Sequence, residues 1–304
     1  MTTRITSEQL RGIFPALATA VTADGQIDTQ AVRALLDHLQ GSGISGTVPL
    51  GGTGEYGALS RTERARMVAT VREHQSADLP VLAGVLDPGY HDAIASGQAL
   101  ADAGADALMV LTPYYTTPSQ QGIRDYFLRY ADASPLPVVI YEIPYRTRIS
   151  IAPEVLHELS RHENIIGMKA CNTDMYHFLK VVKGVDASFA VLSGEDTIFP
   201  AQMLCGAQGG IIVTANLLPK TWTRMYALLT SGKTAEALAL HQKLIGLLDL
   251  AFAETNPGPM KSVWDLVGVQ APHLLAPLVD CNPELSARLR QVLTAQLQAE
   301  HALA

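Results

Sequence analysis

Cysteine is the first scarcity: Cys171, Cys205 and Cys281 are the only three in 304 residues. They are too few and too scattered for a disulfide framework, and none stands in a Cys-x-x-Cys pair that would hold zinc or do redox work. Reduced thiols in a cytoplasmic protein are the expectation. Positive charge is also short, with 22 Lys and Arg against 29 Asp and Glu, a net charge of -7 and no basic run. That excludes the footprint of a nucleic-acid binder. The opening Met1-Thr2-Thr3-Arg4-Ile5-Thr6-Ser7-Glu8 has no apolar core for a signal peptide, and no later segment approaches the ~20 apolar residues of a membrane span, so no membrane partner is expected. The nine histidines never fall in His-x-His or His-Glu-x-x-His spacing, which argues against a metal centre. No Gly-x-Ser-x-Gly elbow is present, and no dinucleotide-type glycine turn follows the first apolar run. A small molecule is the partner left standing.

What is present is a chain 48% hydrophobic, enough to bury one large core. From Ile13 onward apolar runs alternate with amphipathic helical patterns. Residues 12–21 read as a first strand, and Asp28 caps a helix striped by Val32, Leu35, Leu36 and Leu39. Residues 44–50 read as a second, followed by Ser60-Arg61-Thr62-Glu63, the form of a capping box. Further strands are predicted over 79–86, 105–111, 136–141, 165–169, 189–192 and 209–213, with Gly104 ending one intervening helix and Pro219 opening another. Eight strand-helix units at roughly thirty-residue spacing predict an α/β fold, a (β/α)8 TIM barrel, over an open doubly wound sheet. Beyond Ser231 only helical patterns remain, over 234–253, over 259–267, and from Asn282-Pro283 toward Ala299. The expected organisation is a barrel over 1–230 and a C-terminal helical region over 231–304.

In such barrels the functional groups sit where strands end. Lys169 closes the apolar run Ile165-Ile166-Gly167-Met168-Lys169, and a lysine there must reach solvent, find a partner or act as a nucleophile. Tyr141 ends the neighbouring strand, from which a phenol could move protons for the lysine or simply sit in the core. Gly51-Gly52-Thr53-Gly54-Glu55 after the second strand can turn backbone amides toward an anion. It lacks the Gly-Lys-Ser/Thr ending of a P-loop, so a carboxylate is the better guest. Arg146 offers a planar fork for a second carboxylate or lies in solvent. Cys171 is read as a passive thiol, and Tyr114-Tyr115 as a loop aromatic pair packed under a neighbour.

These segments, with Thr112-Pro113-Tyr114-Tyr115, Tyr141-Glu142-Ile143-Pro144 and Ser193-Gly194-Glu195-Asp196, together resemble the dihydrodipicolinate synthase / N-acetylneuraminate lyase family across nearly the whole chain. The resemblance implies a class I aldolase-type lyase, usually a homotetramer. Lys169 would form a Schiff base with pyruvate or another 2-keto acid, with no separate cofactor. By the same resemblance Tyr141 relays protons, Gly52 and Thr53 hold the substrate carboxylate, Tyr115 reaches a neighbouring subunit's site, and Ile211 lines the pocket. Arg146 and Asn256-Pro257-Gly258-Pro259-Met260-Lys261 look like the synthase branch, which condenses pyruvate with aspartate semialdehyde. Gly52, Glu142 and Tyr145 depart from it, and Gly-Gly-Thr-Gly-Glu also resembles the sugar-acid dehydratase branch. The alternatives are therefore a keto-deoxy sugar-acid aldolase or dehydratase, or a barrel that binds a 2-keto acid without turning it over.

Overall fold

The computed structural model describes residues 5–301. Its strands are β1 (Gly12–Pro15), β2 (Leu82–Val85), β3 (Ala107–Leu111), β4 (Val138–Glu142), β5 (Ile165–Ala170), β6 (Ala190–Ser193) and β7 (Gly209–Ile212). They pair in parallel in the order β1-β7-β6-β5-β4-β3-β2. Every strand residue is buried, as expected of a parallel sheet covered on both faces.

The predicted second strand, 44–50, is not a regular strand. It touches its neighbours through two isolated parallel bridges, Ala16↔Val48 and Thr47↔Val81, and so spans the gap between β1 and β2 that the sheet order leaves open. Val48 N donates to Pro15 O at 2.9 Å and Leu82 N to Thr47 O at 2.9 Å. Pro49 has no amide to continue the ladder. Leu50 then turns into the left-handed region at φ 65°, pressed against the next strand. A Cβ on Gly84 would meet the Leu50 carbonyl oxygen at 2.2 Å, so glycine is required there.

The helices are α1 (Thr29–Leu39), α2 (Arg61–His74), α3 (Tyr90–Asp102), α4 (Gln120–Ala133), α5 (Pro144–Thr147), α6 (Pro153–Leu159), α7 (Met175–Gly184), α8 (Phe199–Leu204), α9 (Pro219–Thr230), α10 (Thr234–Ala251), α11 (Gly258–Lys261) and α12 (Pro283–His301). Asp28 caps α1 through the Ala31 amide at 3.0 Å. Ser60 caps α2 through the Glu63 amide, but Glu63 turns away to accept from Ile27 N at 2.6 Å, so the capping box is half made. No helix among the described residues is long and apolar enough to cross a membrane.

The C-terminal helices are fastened to the barrel by a buried ion pair. Lys261 on α11 donates to Glu55 at the end of the glycine turn and to the His273 carbonyl at 2.7 Å, while the Leu275 amide donates to the other Glu55 oxygen at 2.7 Å. Burial pulls the Lys261 ammonium below its usual pKa, and the Glu55 carboxylate beside it pulls the other way. Removing one partner strands the other in a dry interior. Lys261→Met should therefore lower unfolding stability in urea by roughly 3–5 kcal/mol, and the double variant Glu55→Leu/Lys261→Met should recover much of that loss.

Candidate active site

Lys169 and Tyr141 are Cα partners across β5 and β4, so the pleat sends both side chains to the same side of the sheet. Lys169 is 4% exposed and Tyr141 3%. The Lys169 Nζ lies 4.6 Å from the centroid of the Tyr141 ring and makes no hydrogen bond or ion pair among the described residues. Its stem is clamped by the chain leaving β6, where a Cβ on Gly194 would come within 2.9 Å of Lys169 Cγ and 2.2 Å of Cys171 Sγ. The Cys171 thiol donates to Gly194 O at 3.2 Å, and burial holds its pKa far up, which suits a passive group. Burial also lifts the Tyr141 phenol well above its usual value, so it stays protonated.

Above the lysine opens a cavity of about 560 Å³, lined by Gly52, Thr53, Tyr141, Arg146, Lys169 and Glu195 among others. On its glycine side, Gly54 N and Glu55 N turn back onto Gly51 O and Gly52 O at 3.0 and 3.3 Å. The amides of Gly52 and Thr53 make no hydrogen bond among the described residues. Thr53 is buried, and its hydroxyl accepts from Asn256 Nδ2 at 2.8 Å. Arg146 donates to Asn256 O at 3.4 Å and lies over Gly52, where an added Cβ would sit 3.7 Å from the guanidinium carbon and 3.9 Å from the Tyr141 hydroxyl. Residues 252–256, beyond α10, close the cavity.

The two carboxyl groups after β6 have opposite environments. Asp196 accepts from Val213 N, Thr214 N and Thr214 Oγ1 at 3.0, 2.7 and 2.6 Å, which uses both its oxygens. Glu195 has a buried oxygen, Oε1, with no partner. Burial, helped by the Asp196 carboxylate, pushes Glu195 up to about 7, while Lys169 and Arg146 pull the other way.

Of the residues singled out in the sequence, Lys169, Tyr141, Gly52, Thr53 and Arg146 share this cavity. Ile211 does not line it. It is fully buried, opposite Phe14 in β1, and Val213, two residues on, faces the cavity instead. Tyr115 also lies outside: it is 92% exposed with φ 72°, and is not packed under a neighbour within this chain. Glu142 is adjacent to Tyr141 in sequence but points to the helix layer, where it accepts from Ser150 Oγ and Ile151 N at 2.9 and 3.0 Å and lies 3.5 Å from His177 Nε2. Tyr145 does line the cavity. The contribution of 252–256 carries no chemical motif of its own, and only the Asn256-Pro257 step hinted at it. No group of three or more His, Cys, Asp or Glu that could hold a metal ion occurs among the described residues.

A profile of the Dihydrodipicolinate synthetase family matches residues 9–296. The chain belongs to that family. It is 36% identical over 285 residues to the 4-hydroxy-tetrahydrodipicolinate synthase of Methanothrix thermoacetophila, covering 93% of this chain and 96% of the relative. Against the synthase of the same name from Haloarcula marismortui it is 36% identical over 303 residues, 98% of this chain and 99% of that one. The solved 4-hydroxy-tetrahydrodipicolinate synthase from Methylacidiphilum fumariolicum superposes with a TM-score of 0.91 at 30% identity, covering 96% of this chain and 99% of the other. The TIM-barrel expectation holds for the family and for this sheet, and the chain is a lyase of the class I aldolase type.

The packing and the charge of this site are each open to a direct measurement. Gly194→Ala should drive its methyl into Cys171 and the lysine stem, lowering stability by about 1–3 kcal/mol in thermal melts, with Cys171→Ala restoring part of it. Glu195 titrates higher folded than unfolded, so the native state holds the extra proton between the ordinary carboxylate value of 4.5 and about 7. Its contribution to stability therefore falls as pH rises through that window. Glu195→Gln should raise the melting temperature at pH 8 relative to the parent and leave it near the parent value at pH 4.

Proposed function

We propose that the cavity joins a 2-keto acid, pyruvate in the first instance, to an aldehyde that carries its own carboxylate, aspartate semialdehyde. The observation that carries this reading is the free Lys169 amine, buried against Tyr141 in a cavity whose far wall offers the unpaired Gly52 and Thr53 amides. Lys169 Nζ attacks the keto carbon and, as water leaves, forms a protonated imine that draws electrons from the adjacent carbon. The Tyr141 phenol, kept neutral by burial, hands the departing hydroxide a proton and is refilled by the one that the Lys169 ammonium gives up to become a nucleophile, so water leaves and the phenol ends protonated. The Gly52 and Thr53 amides hold the keto acid's carboxylate, and Arg146 offers its fork to the second one. No separate cofactor is required, because the imine is the electron sink. Tyr115, fully outward at the rim loop, is the side chain that would enter a neighbouring subunit's site in a homotetramer.

A second reading is favoured by one feature, the room that the missing side chain of Gly52 leaves beside the Tyr141 hydroxyl and Arg146. That room suits the longer chain of a keto-deoxy sugar acid, handled by the same lysine. Borohydride added to the enzyme with pyruvate should fix one adduct, read by intact mass and peptide mapping at Lys169. No adduct, or one that survives Lys169→Ala, defeats the Schiff-base reading. Formation of a cyclised product from pyruvate plus aspartate semialdehyde, without turnover of keto-deoxy sugar acids, separates the first reading from the second.

A further inference from the structure

The Schiff-base reading leaves one step without a residue. An imine becomes a carbon nucleophile only when a base removes a proton from C3, and the new carbon-carbon bond closes only when the aldehyde oxygen receives a proton. The ionisable groups that line the cavity are Lys169 on β5, Tyr141, Tyr145 and Arg146 at and beyond the end of β4, Glu195 and Asp196 beyond β6, and Glu254 beyond α10. Most are committed or of the wrong kind for a base. Lys169 becomes the imine, and Arg146 remains a cation. The Tyr141 and Tyr145 phenols are both held above their usual pKa and stay protonated. Asp196 spends both oxygens on the Val213 and Thr214 amides and the Thr214 hydroxyl. Glu254 accepts from Asn282 N at 3.1 Å. Glu195 alone among these carboxyls has a buried oxygen with no partner.

Its position suits the task. Glu195 comes two residues after Ser193, the Cα partner of Ala170, so it leaves β6 directly beside the strand end that carries Lys169. Gly194, between them, packs against the lysine stem without a side chain to separate the two groups. We propose that Glu195 is the catalytic carboxyl that takes the C3 proton of the Lys169-bound imine and returns it to the oxygen of the incoming aldehyde; this rests on the Schiff-base reading above. The C3–H bond breaks, its electron pair forms the C2=C3 bond of the enamine, and the imine π pair moves onto nitrogen. The proton is then on Glu195. The enamine C3 next attacks the aldehyde carbon, the nitrogen pair restores the iminium, and the aldehyde π pair moves onto oxygen, which takes the proton from Glu195. The carboxylate ends as it began, and no other reactant is consumed. One side chain can reach both atoms because the oxygen sits on the carbon that C3 is attacking. A carboxyl held up at about 7, with Lys169, Arg146 and Asp196 as its charged neighbours, populates both forms at neutral pH. It also shares the cavity with Gly52, where this chain has no hydroxyl to pass a proton from Tyr141.

The test separates this step from imine formation. In D2O the parent enzyme should exchange the methyl protons of pyruvate, tracked by loss of the 1H NMR signal, and should give the borohydride adduct at Lys169. Glu195→Gln should still give the adduct, which also reports a folded site, while exchange slows by about 100-fold or more. Glu195→Asp should recover part of the rate. Exchange per adduct in the parent should rise with pH through about 7 and lose that rise in Glu195→Gln. If Glu195→Gln forms the adduct and exchanges within a few-fold of the parent, the role of Glu195 is overturned while that of Lys169 stands. An absent adduct in Glu195→Gln overturns it too, since the carboxyl would then be needed before any C3 proton moves. An absent adduct in the parent overturns both readings.

Discussion

The buried pair between Glu55 and Lys261 is the constraint on which the site depends. Charges taken out of water must be met by partners within hydrogen-bond reach, and this pair is met by itself, the His273 carbonyl and the Leu275 amide. Glu55 ends the glycine turn, and Lys261 ends the short helix just past the cavity's outer wall. Holding the two together sets Asn256 over Thr53 and Arg146, which closes one side of the cavity. The C-terminal helices thus act on the site by position, with α10 also contributing His241, whose ring nitrogen meets Asp196 O at 2.9 Å.

Inside the cavity, the same protein divides two adjacent carboxyls between different tasks. Asp196 is saturated with donors from the end of β7 and organises the loop. Glu195 is left with an unfilled acceptor beside a cation and a carboxylate. Environment makes this distinction, because Glu and Asp differ little in intrinsic acidity. The free lysine amine and the free carboxyl oxygen lie on neighbouring strand ends, with Gly194 keeping the path between them clear of a side chain.

Much of this was legible in the chain before folding was considered. The alternation of strands and helices, the cap at Asp28 and the stop at Gly104 are local signals, and each appears where expected. The clustering of Lys169, Tyr141, Gly52, Thr53 and Arg146 comes from a single rule about strand ends. What was hidden depended on register and on long-range contact. Nothing in 44–50 by itself says that Pro49 and the tight Leu50–Gly84 approach reduce a strand to two bridges. Ile211 and Val213 face the same way, and only the depth of the cavity decides which of them lines it. Glu142 differs from Tyr141 by one pleat, which carries it to His177 and away from the cavity. The wall at 252–256 is composed of ordinary loop residues that matter because Lys261 anchors the short helix α11 immediately beyond them.

The two-bridge segment is also where the circle closes: backbone hydrogen bonds fasten residues 45–49 to the chain at β1 on one side and at β2 on the other, and the glycine turn grows directly out of that seam. Lys169 stands on the opposite side, in the most fully paired part of the sheet. The amine and the glycine turn therefore face each other across the barrel, and a keto acid held by the Gly52 and Thr53 amides and joined to Lys169 would span from the seam to the strand opposite.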